Sequence, residues 1–492
     1  MAYHFHPVNR AQKFLLPEDM TEWLPKDHLV YFVIELVHQL DLKEFLKYYR
    51  MDGKGGAAYH PAMMITLLFY AYCDGERSTR RIERRARTDI AFRIITGGLI
   101  PDHTSIARFR DRHQEALAKL FVPILAICLD AGLGDVSLAA IDGTKFRCPA
   151  SLRANRNIVR IETELSRLTE EIETELARIA AEMFDSSRGA DFEEDTLEGP
   201  PPPRRPGTLP RIVGLPKALH GKATRRARLV RAKQILDDHH AGERAAHDAR
   251  MADRAAQEAA TGHKIRGRKP KEPERNLDKK VNVTDPDSRI MKDVHGGYLQ
   301  GYNAQNVIAK DRLVLACDVV SDENDSRQLH PMMNSTDDNL TDAGSSRRVG
   351  LVLADSGYCN DESLAAIDPH GPDVLLATGK EHKTRRRVAT EPAHEGPPPP
   401  DLSLKELMDW KLTTPQGKAA YPQRAATVEP AFAQIKNNRG MFGFLRTGLS
   451  AADSEWKIIN ITDSAAKLYR RILAGQATPD WATLTHLIAT PG

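Results

Sequence analysis

Between residues 298 and 380 the hydrophobic period of the chain switches repeatedly, and this limits the folds open to it. "YNAQNVIA" and "RLVLACDVVS" are apolar runs of strand length joined at Lys310–Asp311, which predicts an antiparallel hairpin. "SRQLHPMMNSTDDNL" reads as a helix, and "RVGLVLADSGY" as a buried strand ending at Asp355. "NDESLAAID" then predicts a short helix and "DVLLATGK" another strand. Upstream, the apolar run Val136–Ile141 predicts a further buried strand ending at Asp142. Strands alternating with helices predict an α/β core.

Residues 150–285 interrupt that pattern. In "NIVRIETELSRLTEEIETELARIAAEMF" the apolar residues fall at steps of three and four with one stutter, as in a coiled-coil-like or hairpin helix. "EGPPPPRRPGTLP" is an extended breaker, and a second, polar helix follows over roughly 223–260. Its "DDHH" and His247 sit on an Ala/Arg-rich surface and receive no role. The segment ends in "HKIRGRKPKEPER", whose Arg266–Pro270 core is similar to basic hooks that enter the minor groove, or is a basic linker.

Residues 27–130 read as helical. "DHLVYFVIELVHQL" carries one apolar stripe, Val30, Val33, Leu36, Val37 and Leu40. "YHPAMMITLLFYAYCDG" is apolar nearly all round, as a buried helix would be, with Pro61 in its first turn. "ERSTRRIERRARTDIAFRIITGG" predicts one helix stopping at Gly97–Gly98, with Arg77, Arg80, Arg81, Arg84, Arg85 and Arg87 crowded into it. Another helix starts at Thr104 or Ser105, with Arg108, Arg110 and Arg112 near its front. Two basic helices across a short loop have the layout of a DNA-binding unit; a solvated arginine face is the alternative.

Composition narrows the class further. The net charge of +3 over 492 residues is nearly balanced, so the clustering of arginine carries the signal. Five scattered cysteines without a CxxC pair exclude a zinc ribbon and a disulfide framework. "MAYHFHPVNRAQKF" has no apolar signal core and no long apolar run follows, so a soluble, cytoplasmic protein is expected. "DGKGG" at 52–56 lacks the strand and the ending of a phosphate loop, and "DSGY" is not a nucleophile elbow.

Near the C-terminus, "AAYPQRAATVEPAFAQIKNNRG" places Glu429 directly before Pro430. Proline is tolerated in a first helical turn, so Thr427 is expected to cap a helix that opens with Glu429 and Pro430. Lys436 follows seven positions later, on the same face. Two acids thus end apolar strands and a third begins a helix. Three carboxylates suit two divalent cations about 4 Å apart that clamp an in-line phosphoryl displacement. Magnesium takes hard oxygen ligands and keeps several waters, so few carboxylates suffice. Asp318, inside "LACDVV", is a rival second acid expected to pair with a local Arg or Lys, and Asp285 and Asp287 in "TDPDS" read as turn residues.

This succession resembles the DDE transposases of bacterial insertion sequences, from "YHPAMMITLLFYAYCDGERSTRRIE" through "IDGTKFR", "QGYNAQNV" and "LADSGY" to "VEPAFAQIKNNRG". Tyr421, Arg424, Glu429 and Lys436 fit the branch with a Tyr-Arg-Glu-Lys signature, with one departure: four residues, not three, separate Arg424 from Glu429. The resemblance implies a ribonuclease-H-like mixed-sheet core, an all-helical N-terminal DNA-binding domain and a largely helical insertion after the first core strand. It divides the chain at 1–130 (DNA binding), 131–149 (first core strand), 150–285 (insertion), 286–475 (rest of the core) and 476–492 (tail). It implies Asp142, Asp355 and Glu429 as catalytic, metal-binding acids using Mg²⁺, with Mn²⁺ as a substitute. Tyr421, Arg424 and Lys436 would contact DNA at the site, and Arg80, Arg81, Arg84 and Arg108 would contact it through the N-terminal helices. The implied partners are double-stranded DNA (element ends and target) and a second copy in a synaptic dimer at the nucleoid. A DNA-binding relative without strand transfer, and a nuclease that only cuts, are the alternatives.

Overall fold

The computed structural model describes residues 19–49, 58–186, 219–293 and 296–478. The N-terminal "MAYHFHPVNRAQKF", "DGKGG", the proline-rich breaker and residues 479–492 of the tail lie outside the described residues.

The centre is a mixed sheet. Its strands are β1 (Ala139–Arg147), β4 (Arg289–Lys292), β5 (Tyr298–Ala309), β6 (Val314–Val320), β7 (Leu351–Ala354) and β8 (Asp373–Leu376), while β2 (Asn155–Asn157) and β3 (Lys280–Asn282) pair separately. β1 runs antiparallel to β5 from Ala139↔Ala309 to Arg147↔Gly301, and parallel to β7, which is parallel to β8. The other edge of β5 takes β6 and β4, both antiparallel. β5 and β6 form the expected hairpin.

β1 does not end at Asp142, as its apolar run suggested, but continues to Arg147. The twelve residues of β5 supply ladder partners all the way, and the added stretch buries Phe146 completely. Hydrogen bonding to a long neighbour thus overrides the loss of apolar character at "DGTKFR".

The "ERSTRRIERRARTDIAFRIITGG" stretch is two helices, Thr79–Thr88 and Ile90–Thr96, where one was expected. Asp89 is extended at φ −105°, and its carboxylate accepts from the Ala91 and Phe92 amides, so it ends one helix and caps the next. Gly97 closes the second at φ 58°. The following helix, His103–Arg112, starts just before the expected position because Asp102 caps it.

The helix that carries Glu429 departs most from expectation. It spans Gln423–Ala433 with Pro430 inside, and the Thr427 hydroxyl donates back to the Gln423 carbonyl at 2.9 Å instead of capping. Pro422, at the N-cap position, already permits the helix to start there. Pro430 cannot donate to the preceding turn, and the chain leaves the helix through a π-turn, Gln434–Asn438.

One hydrophobic core joins the sheet to the N-terminal helices. The helix Leu449–Leu473 supplies the joint: Trp456, Ile458, Ile459 and Ile461 are fully buried in it. The Trp456 indole donates to the Gln305 carbonyl and to Asn306 Oδ1. Arg77 donates to buried Glu455 at 2.8 Å, and Arg439 donates to the Tyr72 and Ile459 carbonyls. Part of the arginine cluster is therefore internal strutting. In the inserted region, the helices Ile158–Ser186 and His220–Thr261 pack through Ile158, Ile161 and Leu168 against Leu229, Ala232 and Leu236, forming a small second core. Among the described residues no helix is long and apolar enough to cross a membrane.

Candidate active site

The sheet brings Asp142 and Asp355 together at one edge of its central strands. Asp142 lies on β1, and Asp355 directly follows β7, the parallel neighbour of β1. Each carboxylate is partly held by its own backbone: the Gly143 amide donates to Asp142 at 2.9 Å, and the Gly357 amide to Asp355 at 2.8 Å. Burial pushes the Asp142 carboxyl up from 3.8 to about 7; Arg424 opposes the rise and Asp355 and Asp325 add to it. Burial likewise raises Asp355, with Arg424 opposing and Asp325 and Glu381 adding.

Arg424, on the inner stripe of the helix Gln423–Ala433 with Thr427, Val428 and Ala431, reaches Asp142 at 3.3 Å and Glu381 at 3.4 Å. The Tyr421 hydroxyl donates to Glu381 at 2.8 Å, and Tyr421 is 1% exposed. Both were expected to meet DNA; in this arrangement the Tyr421 hydroxyl and the two terminal nitrogens of Arg424 are engaged by acids inside the protein.

Glu429 lies elsewhere on the same helix. Its side chain is 66% exposed and accepts from Arg385 at 3.2 Å, while Arg385 also holds Glu381 at 2.9 Å. The additional residue between Arg424 and Glu429 explains this. Positions four apart lie about 40° apart around a helix, whereas positions five apart lie about 140° apart. The result is a ladder of alternating charge, Asp142–Arg424–Glu381–Arg385–Glu429. Glu381 was missed in sequence: it opens the helix Glu381–Thr390, a basic stretch with no apolar run or motif to mark it.

Lys436, in the π-turn, donates to the Thr144 hydroxyl and the Lys145 carbonyl, and lies 5.5 Å from the centre of the Phe146 ring. Asp318, the rival acid, pairs with Lys457 at 3.2 Å. Asp285 accepts from Tyr302 at 2.6 Å inside the core, a larger structural role than a turn residue has.

The N-terminal arginines divide by burial. Arg80, Arg81, Arg84 and Arg108 are exposed, and Arg81 pairs with Glu76 at 2.9 Å. Their two helices are tied by Glu83, which accepts from the His103 amide at 2.9 Å. Arg77 and Arg110 are buried.

Among the described residues no three or more His, Cys, Asp or Glu side chains form a ready metal cage. The donor chemistry at Asp142 and Asp355 nonetheless fits a hard cation: two oxygen-donor acids whose charges are mutually unfavourable without one. Glu429, drawn to Arg385, stands outside that pair.

Comparisons with known proteins bear on the reading. Residues 18–112 match the family described as a transposase domain (DUF772), and residues 260–462 match the transposase DDE domain. No match was found among curated proteins or solved structures. Asp355 and Glu429 fall inside the second match and Asp142 between the two. A DDE domain implies a ribonuclease-H-like core, and the mixed sheet centred on β1 agrees with that. The two matches on one chain support a DDE transposase, an enzyme that acts on DNA.

Proposed function

We propose that the protein is a metal-dependent transposase that binds the terminal inverted repeats of its own insertion sequence, cuts at their ends and joins the freed 3′-hydroxyl to target DNA. The observation that supports it best is the Asp142–Asp355 pair, two carboxylates kept partly buried at adjacent strands and destabilised by each other. A buried pair of this kind costs stability and is found where chemistry requires it.

In this reading Asp142 and Asp355 hold the cation and Glu429 completes the set. Mg²⁺, or Mn²⁺ in its place, would activate the attacking oxygen and stabilise the leaving one. Arg424 opposes the rise of the Asp142 carboxyl and orients it; Lys436 lies close enough to β1 to hold a phosphate of the terminal strand. Glu429 reaches the pair once DNA phosphates compete for Arg385 and the ladder opens. Arg80, Arg81, Arg84 and Arg108 grip the duplex away from the site, and two copies hold two ends in a synaptic dimer. The bacterial cytoplasm, at the nucleoid, is the setting that fits.

Supercoiled plasmid bearing the inverted repeats, incubated with protein and Mg²⁺, should be nicked at the repeat ends and yield joined products. Binding without nicking under any divalent cation would favour the DNA-binding alternative, and cutting without joining the nuclease alternative.

A further inference from the structure

We propose that Asp325 is a further metal-holding acid of this centre, and that the side-chain carbonyl of Asn303 faces the same cation. The inference rests on the metal-dependent reading above and adds residues to it that neither the strand-end pattern nor the signature includes.

Asp325 lies in the loop between β6 and the helix Leu329–Asp342. Its Oδ1 accepts from Asn303 Nδ2 at 2.6 Å and from Gln305 Nε2 at 2.7 Å. Both donors are fully buried on β5, two positions apart and so on one face, opposite Lys145 and Gly143 of β1. The Gln305 amide is fixed in turn by the Tyr358 hydroxyl, which donates to Gln305 Oε1. One oxygen of Asp325 is thus clamped from the sheet.

The two sheet amides occupy Oδ1 and leave Oδ2 on the side of Gly357, while Asn303 Oδ1 is buried without a partner. A loop anchor needs the first oxygen only. A buried, orphaned amide carbonyl beside this carboxylate is what a cation would satisfy.

Two glycines let these side chains close in on the backbone. A Cβ on Gly143 would stand 2.3 Å from Gln305 Nε2, 2.5 Å from Asp325 Oδ1 and 2.9 Å from Asn303 Oδ1. A Cβ on Gly357 would stand 3.0 Å from Asp355 Oδ1 and 3.5 Å from Asp325 Oδ2, so Asp325 and Asp355 border the same point. Charge agrees as well. Asp142, Asp325, Asp355 and Glu381 face Arg424 and Lys145, whose ammonium is 3.7 Å from Asp325 Oδ1. The acids of the centre outnumber the bases that face them, as a site for a cation requires. Asp325 also contributes to the raised carboxyls of both Asp142 and Asp355.

The test is Mn²⁺ binding to the full chain without DNA, followed by the loss of the free-ion paramagnetic resonance signal. Asp325→Asn keeps an acceptor for the two amides, so the fold is retained, which urea unfolding checks. Binding should weaken about tenfold or more in Asp325→Asn, and severalfold in Asn303→Ala, which carries the test if the first variant unfolds. Wild-type affinity in both folded variants, with binding lost in Asp142→Asn, overturns the role of Asp325 and leaves the functional reading intact. No Mn²⁺ binding by the wild-type chain overturns both.

Discussion

Asp142 should destabilise the protein that carries it. Its carboxyl is raised from 3.8 to about 7, so the folded state binds the proton more tightly than the unfolded state. Below pH 3.8 both states are protonated and the residue has no effect. Between 3.8 and about 7 the unfolded chain releases the proton more readily, so stability falls as pH rises through this window and stays low above it. At about 1.4 kcal/mol per pH unit, a gap of about three units sets a ceiling of about 4 kcal/mol. The side chain keeps 22% of its surface, and water at that surface brings the expected penalty to about 1–2 kcal/mol. Asp142→Asn removes the charge, keeps an acceptor for the Gly143 amide, and leaves Arg424 its second partner, Glu381. In urea unfolding without divalent cations, Asp142→Asn should therefore be more stable than wild type by about 1–2 kcal/mol at pH 8, and equal to it below pH 4. Adding Mg²⁺ at pH 8 should stabilise the wild type and not the variant. A variant less stable than wild type at pH 8, or a difference independent of pH, would refute the reasoning.

Other outcomes follow from the same geometry. Arg385→Ala frees Glu429 from an exposed ion pair worth about 0.2–1 kcal/mol, so Mn²⁺ affinity without DNA should rise up to about fivefold; unchanged affinity would remove Arg385 from the ladder's control of the site. Arg77→Ala leaves Glu455 buried and unpaired, and should cost about 3–5 kcal/mol in unfolding, read by urea titration. Charge reversal at Arg80, Arg84 and Arg108 should lower affinity for repeat-end DNA and flatten its salt dependence, measured by anisotropy across a salt series; an unchanged slope would rule out these helices as the grip. Trp456→Ala should cost about 3–5 kcal/mol, because a fully buried ring and its two hydrogen bonds are lost from the joint between sheet and N-terminal helices.

Much of the core was legible because its signals are local. Apolar runs marked β5 to β8, and Asp142 and Asp355 are placed by the strands that carry them. What was illegible depends on partners distant in sequence. β1 runs past Asp142 because β5 is long enough to pair with it, a property of a strand far down the chain. Arg77 and Arg80 look alike in sequence, but only Arg77 meets Glu455. Thr427 looked like a cap, yet Pro422 had already started the helix. The departure at Arg424–Glu429 was visible as one residue; its consequence, a turn of about 140° toward Arg385, needed the helix to be continuous through Pro430. Glu381 and Asp325 belong to no strand end and no signature, and only side-chain contacts reveal them.

The central claim is that Asp142 and Asp355 hold the metal that cuts and joins DNA. It is tested most directly by incubating purified protein with Mg²⁺ and DNA carrying the inverted repeats that flank its own reading frame, beside Asp142→Ala and Asp355→Ala. The account predicts nicks at the repeat ends and joined products with the wild type, and neither with either variant, while both variants still bind the ends. Cleavage that persists in either variant, or that proceeds equally in EDTA, would contradict it.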